Sequence, residues 1–270
     1  MDRRLTPFSG RKALPVLQGQ VQAEFTTGEP ARIATPLAPL LANPGGAIDR
    51  TLICGDAVTV IDRRDDHAFL QAAKDGYCGW VAEADLGPWA KTTHRVTTPA
   101  THAYPEPRVQ ARPATPLYLN ARVLVLSDTG KWAETPLGFV PSSHIAPEHE
   151  PASDPVAVAE TLLHAPYLWG GNSVTGVDCS GLVQLAFHAA GRPCPADSDL
   201  QRSIGHDIPE GAPMQRGDLI FWKGHVALLT APDRIFHATG HKMRVTYEPL
   251  ADAITRIAAE GTPVLARRRP

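Results

Sequence analysis

Between Tyr167 and Gly191 the chain reads YLWGGNSVTGVDCSGLVQLAFHAAG, and the block Asp178-Cys179-Ser180-Gly181 sets a cysteine where a glycine-punctuated loop turns into an apolar run. Leu182, Leu185, Ala186 and Ala189 fall at i, i+3, i+4 and i+7, and Gly191 supplies a stop. The spacing therefore predicts a helix that starts at or near Cys179. At a helix start the unpaired N–H groups and the positive end of the macrodipole favour a thiolate, the nucleophilic form of cysteine. A buried structural thiol fits the same pattern. Thiol chemistry also needs a base, which must come from elsewhere in the chain.

Two histidines offer one. His225 opens the strand-like run His225-Val226-Ala227-Leu228-Leu229, and His237 lies in Ile235-Phe236-His237-Ala238, with the turn signal Ala231-Pro232-Asp233-Arg234 between them. The two runs should pair as a hairpin. If all four turn residues form the loop, His237 falls opposite Leu228 and points away from His225. An odd loop or an equivalent bulge puts His237 opposite Ala227, on the face of His225 and about 7–8 Å from it diagonally. The second arrangement is the expectation, because only it joins cysteine and both imidazoles in one relay.

These segments, together with Tyr167-Leu168-Trp169-Gly170-Gly171 and Arg216-Gly217-Asp218-Leu219-Ile220-Phe221-Trp222, resemble in order and spacing the NlpC/P60 family of papain-like cysteine peptidases over residues 151–270. Several linked motifs are more specific than a lone Cys and His. The resemblance makes Cys179 the nucleophile, His225 the general base and acid, and His237 the polar third member that orients His225. The residues read on their own reach the same three.

Composition bounds what else the chain can be. Its 270 residues are 43% hydrophobic with a net charge of −2, enough for two or three small domains and without the basic excess that draws nucleic acid or anionic membrane. No apolar run is long enough to span a bilayer, and the first residues lack a signal-peptide core, so the expectation is a cytoplasmic protein, most simply a monomer. Cys54, Cys78, Cys179 and Cys194 form no disulfide framework or metal-ligand spacing. Reduced thiols, no metal and no cofactor are expected.

The 26 prolines and 22 glycines point to many short strands and turns. Runs such as 51–61, 68–72 and 76–81 recur about sixty residues later as 117–126, 132–135 and 136–141, which predicts two small barrels of five to six strands. Gly79-Trp80-Val81 and Gly138-Phe139-Val140 resemble the terminal strand of bacterial SH3 domains. The expected organisation is an N-terminal extension (1–25), SH3-like domains at 26–91 and 92–146, a proline-rich linker (147–155), and an α+β papain-like peptidase domain (156–270) with the cysteine helix packed on a small antiparallel sheet. Its first helix should follow Asp154-Pro155 and end by Pro166.

Asp178 has two readings: an N-cap that stabilises the helix, or, as the resemblance implies, the acid that holds a substrate ammonium. In the subgroup with paired SH3-like domains, which cuts γ-D-glutamyl–diamino acid bonds in murein stem peptides, the substrate starts with a free L-alanine. Carried over from that subgroup, Ser180 and Ser198 line the same pocket. Tyr167 donates toward an oxyanion or substrate carbonyl, and Asp56 and Tyr77 of the first SH3-like domain face the substrate. Asp56 stands where the subgroup has Glu, one methylene shorter, and the plain reading of both is a polar strand residue and a barrel-surface tyrosine. Trp169 reads as packing. The implied function is a thiol protease of murein peptide recycling. The alternatives are an extracytoplasmic murein hydrolase anchored to the wall by its SH3-like domains, a papain-like amidase or acyltransferase, and a peptide-binding module with a dead site.

Overall fold

The computed structural model describes residues 1–270, and the chain divides into two units, Met1–Glu150 and Pro151–Pro270. The division falls within the proline-rich stretch 147–155. No helix is long and apolar enough to cross a membrane.

The first unit is built from strands. Seven of them, in the spatial order Ile48–Ile53, Leu37–Leu41, Cys78–Ala82, His67–Ala72, Ala57–Arg64, Glu29–Ile33 and Leu86–Pro88, form one antiparallel sheet. That exceeds the five or six expected, because Leu86–Pro88 adds an edge strand against Glu29–Ile33. Ile61, Phe69, Cys78 and Trp80 make a buried apolar cluster in it. The first 25 residues are tied down, Arg3 by a two-pronged bond to Asp49 at 2.6 and 2.9 Å and Arg11 by Asp62 at 2.6 Å.

Residues 94–147 form three small sheets of three, two and three strands. The run 117–126, expected as one strand, is broken: Thr115–Tyr118 and Arg122–Val123 flank a turn in which Asn120 takes φ 68°. Asn tolerates that left-handed conformation better than most residues.

The second unit holds four helices and a six-stranded antiparallel sheet. The helices are α1 (Pro155–Glu160), α2 (Cys179–Ala189), α3 (Ser198–Gln201) and α4 (Leu250–Ala259). The strands are β1 (His206–Asp207), β2 (Leu219–Trp222), β3 (His225–Ala231), β4 (Arg234–Thr239), β5 (Arg244–Pro249) and β6 (Ala266–Arg269), arranged β1-β6-β2-β3-β4-β5. Asp154 caps α1 by accepting from the N–H groups of Val156 and Ala157, and Pro155 occupies the first turn, where its missing N–H costs nothing. This helix is shorter than expected. It ends at Glu160, and the chain then turns through His164 at φ 71° before Pro166 is reached.

α2 packs against α1, β3 and β4. The predicted apolar stripe is fully buried, and so are Val183, Gln184 and Phe187, which makes α2 an interior helix. Gly191, at φ 67°, takes the left-handed position after the Ala190 C-cap. Ile220, Trp222, Ala227, Leu229 and Ile235 of the sheet form a second core with Ala253 and Ile257 of α4. The catalytic candidates thus stand on two well-buried elements, a central helix and the middle strands of a sheet.

Candidate active site

Cys179 is the first residue of α2, and Asp178 is its N-cap in extended conformation. Asp178 Oδ1 accepts from the Gly181 N–H at 2.7 Å and from Ser180 Oγ at 3.1 Å, while Oδ2 accepts from the Gly170 N–H at 2.9 Å. One carboxylate thereby fastens the glycine loop to the first turn of the cysteine helix. The block needs its glycine: a Cβ on Gly181 would lie 2.5 Å from the Gly171 carbonyl oxygen, so only glycine lets the loop come this close.

The sulfur rests on the backbone either side of His225. The S–H points to the Gly224 carbonyl oxygen at 3.9 Å, and the N–H of Val226 donates to the sulfur. Gly224, at φ 73°, makes the tight β2–β3 turn that brings this backbone into place. Cys179 is only 6% exposed. Burial first, then the negative charge of Asp178, push the thiol up to about 12, against the backbone donors of Val226, Ser180 and Cys179 itself. This corrects the expectation of a resting thiolate. The helix start does supply donors to the sulfur, but desolvation outweighs them.

The hairpin has the bulge that the relay requires. Ala231 pairs with Arg234, Leu229 with Ile235 and Leu228 with Phe236, with the register shift between Leu229 and Ala231. His225 and His237 therefore share a face, and His225 Nε2 lies 3.0 Å from His237 Nδ1. Trp222 packs against the His225 ring, with centroids 5.6 Å apart. Burial, then the neighbouring His237 and Arg256, lower His225 to about 3; burial likewise takes His237 to about 4, against the opposing pull of Glu248. Burial of the substrate-free site thus favours the neutral thiol over the thiolate and the neutral imidazoles over their charged forms.

Tyr167 is half-buried, and its phenol is pushed up to about 12 by burial and then by the charges of Cys179 and Asp178. Its hydroxyl stays protonated and can donate. Ser180 is buried and committed to Asp178. Ser198 opens α3, whose Gln201 reaches α2 by donating from Nε2 to the Ser180 carbonyl oxygen at 2.9 Å. Trp169, read as packing, is instead 69% exposed.

The two residues carried over in the first unit have local partners there. Asp56, 6% exposed, accepts from the Ile53 N–H at 2.9 Å and pairs with Lys74 Nζ at 2.5 Å. Tyr77 is buried rather than on the barrel surface, with the Arg50 guanidinium 5.4 Å from its ring centroid. Sequence reasoning missed Glu248 and Arg256, which stand behind His237. Only the β4–β5 register, which pairs Ile235 with Glu248, could have pointed to them.

Comparison with known proteins bears on the same segments. Residues 164–257 match the NlpC/P60 family, and residues 40–86 match the bacterial dipeptidyl-peptidase SH3 domain. A dipeptidyl-peptidase 6 from Lysinibacillus sphaericus is 27% identical over 78% of this chain and 90% of its own. A gamma-D-glutamyl-L-lysine dipeptidyl-peptidase from Bacillus cereus is 27% identical over 75% of this chain and 71% of its own. The crystal structure of an NlpC/P60 family protein from Bacillus cereus superimposes with a TM-score of 0.76 at 22% identity, covering 89% of this chain and 99% of that one, and so shares the fold. The chain carries an NlpC/P60 cysteine-peptidase domain and, ahead of it, an SH3 domain of the bacterial dipeptidyl-peptidase type.

Proposed function

We propose that this peptidase hydrolyses the γ-D-glutamyl–diamino acid bond of murein stem peptides that begin with a free L-alanine, and that it serves the recycling of such peptides in the cytoplasm. The observation that carries the chemistry is the sulfur at the start of α2, set against the backbone flanking His225, with His237 3.0 Å behind that ring. The names of the relatives from Lysinibacillus sphaericus and Bacillus cereus support the substrate class.

In this reading the Cys179 thiol passes its proton to His225 as the sulfur attacks the scissile carbonyl, since burial keeps both groups neutral beforehand. The carbonyl oxygen gathers charge facing the N–H of Cys179 and the Tyr167 hydroxyl. His225 then protonates the leaving amine, which departs as the C–N bond breaks and leaves a thioester. Water, giving its proton to the same ring, adds to the thioester and releases the acid and the thiol. Asp178 is the acid assigned to the substrate ammonium, with Ser180 beside it. A charge-assisted bond to that ammonium is lost when the alanine is acylated, as in intact murein. Residues 92–146 we assign to a second SH3-type domain, repeating the first.

The test is a pair of matched tripeptides, L-Ala-γ-D-Glu-diamino acid with a free and with an acetylated alanine, analysed by mass spectrometry. Release of the diamino acid from the free form alone is the expected result. Equal cleavage of both overturns the ammonium requirement. Cleavage of whole sacculi with neither tripeptide touched points to polymeric murein instead.

A further inference from the structure

The buried polar chain does not stop at His237. On β5, Glu248 pairs with Ile235 and Thr246 pairs with His237, so Glu248 lies on the His237 face, one diagonal away. Its Oε2 is 3.1 Å from His237 Nε2, within hydrogen-bonding distance though off the direction of a linear N–H···O bond, so the carboxylate acts on that nitrogen by its charge and as an acceptor for its proton. Arg256 of α4 grips the carboxylate from behind, donating from Nε to Oε1 at 3.0 Å and from a terminal nitrogen to Oε2 at 2.8 Å. Burial alone would raise the Glu248 carboxyl, but the bonds and charge of Arg256 outweigh it and hold it below its usual range. The group behind His237 is therefore an anion.

An anion there decides which way the protons sit. The 3.0 Å contact between His225 Nε2 and His237 Nδ1 can be made by either ring donating. If His237 donates from Nδ1, its Nε2 turns a lone pair toward the carboxylate, which repels it. If His237 carries its proton on Nε2, that N–H faces Glu248 and Nδ1 accepts from His225. His225 is then protonated on Nε2, and its Nδ1 is the basic nitrogen.

We propose that Glu248 is a positioning residue for the reaction: it fixes the tautomers of both histidines and steadies the imidazolium that His225 becomes when it takes the thiol proton. This rests on Cys179, His225 and His237 being the reacting set. The charged groups facing the two rings are Glu248 from β5, Arg256 from α4 and Lys242 from the turn before β5, with Cys179 at the head of α2. Among them Glu248 alone favours the charged ring, while Arg256 and Lys242 oppose it. Removing the Glu248 charge makes proton transfer from the thiol harder at every pH where the thiol has not ionised by itself.

Iodoacetamide alkylation of Cys179 in the full chain, followed by mass spectrometry of the peptide that contains it, reads this step without any substrate. Failure here leaves the murein reading standing, and failure to cut murein peptides leaves this reading standing. Glu248→Gln should slow alkylation near neutral pH by about tenfold, the equivalent of one pKa unit. The rates should converge with wild type at a pH high enough to ionise the thiol directly, and Glu248→Asp should recover most of the loss. A neutral-pH rate equal to wild type, an equal deficit at every pH, or an Asp variant as slow as the Gln variant overturns the proposal. The wild-type chain gives a check that needs no variant: nitrogen-15 shifts of the imidazoles should show His237 and His225 each protonated on Nε2, and a proton on His237 Nδ1 overturns it.

Discussion

Each unit of this chain buries a carboxylate against a cation, and the two arrangements differ in where they lead. In the first unit Asp56 is closed on itself: Lys74 and the Ile53 N–H lie within 18 residues of it in sequence, and the set ends there. In the second unit Glu248 lies between Arg256 on one side and His237, His225 and the backbone holding the Cys179 sulfur on the other. A pair satisfied by its own neighbours serves to hold the fold together. A chain that runs from a cation through two titratable rings to a nucleophile can move a proton, and its members tolerate burial because each has a neighbour to accept or give one.

The sharpest way to break this contrast is to remove the end of the chain. Cys179→Ala should lower peptide hydrolysis by about a thousandfold or more, because no other group takes over a missing nucleophile. The helix keeps its Asp178 cap and its buried faces, so the melting temperature should stay within about 5 °C of wild type, a shift worth about 1 kcal/mol. Residual cleavage within tenfold of wild type would show that the sulfur is structural and that both units bury polar groups for the same reason.

In the closed pair the loss should fall on stability. Lys74→Met leaves the Asp56 carboxylate buried without its cation, and breaking a buried pair from one side costs about 3–5 kcal/mol. The double variant Lys74→Met with Asp56→Asn should recover a large part of that loss, since the uncompensated charge is gone. Chemical denaturation of the three chains measures it. A Lys74→Met chain of wild-type stability with a raised KM would place Asp56 in substrate binding, as the family resemblance implies, and the contrast between the units would fail.

What the sequence disclosed, and what it hid, follows the range of the interactions concerned. The cysteine helix, its Gly191 stop and the bulged hairpin depend on spacing and turn chemistry within a few dozen residues, and all were legible. The break at Asn120 was not. The alternation in 117–126 reads as one strand, while the Arg122 N–H is drawn to the Cys54 carbonyl oxygen of a distant segment, which no local pattern records. The state of the sulfur was misread for a related reason. The helix-start donors are visible in Asp178-Cys179-Ser180-Gly181, but the burial that overrides them is a property of the packed unit. Glu248 stayed hidden because its meaning depends on the pairing of β5 with β4, and nothing in Arg244-Val245-Thr246-Tyr247-Glu248 marks one residue as standing behind a histidine.

Asp178 lies between the two cases, and the smallest effect separates its roles. As an N-cap it accepts from Gly181, and as a clasp it holds Gly170. Replacing a capping Asp costs about 0.5–2 kcal/mol when Ala takes its place. Asn retains a side-chain oxygen for the cap, so Asp178→Asn should lose less stability than Asp178→Ala. It also removes the negative charge that raises the Cys179 thiol. Iodoacetamide should therefore alkylate the Asn variant faster than wild type near neutral pH, while the preference for a free over an acetylated alanine shrinks. An Asn variant that keeps that preference in full would reduce Asp178 to a cap and clasp, a carboxylate of the closed kind placed beside a nucleophile.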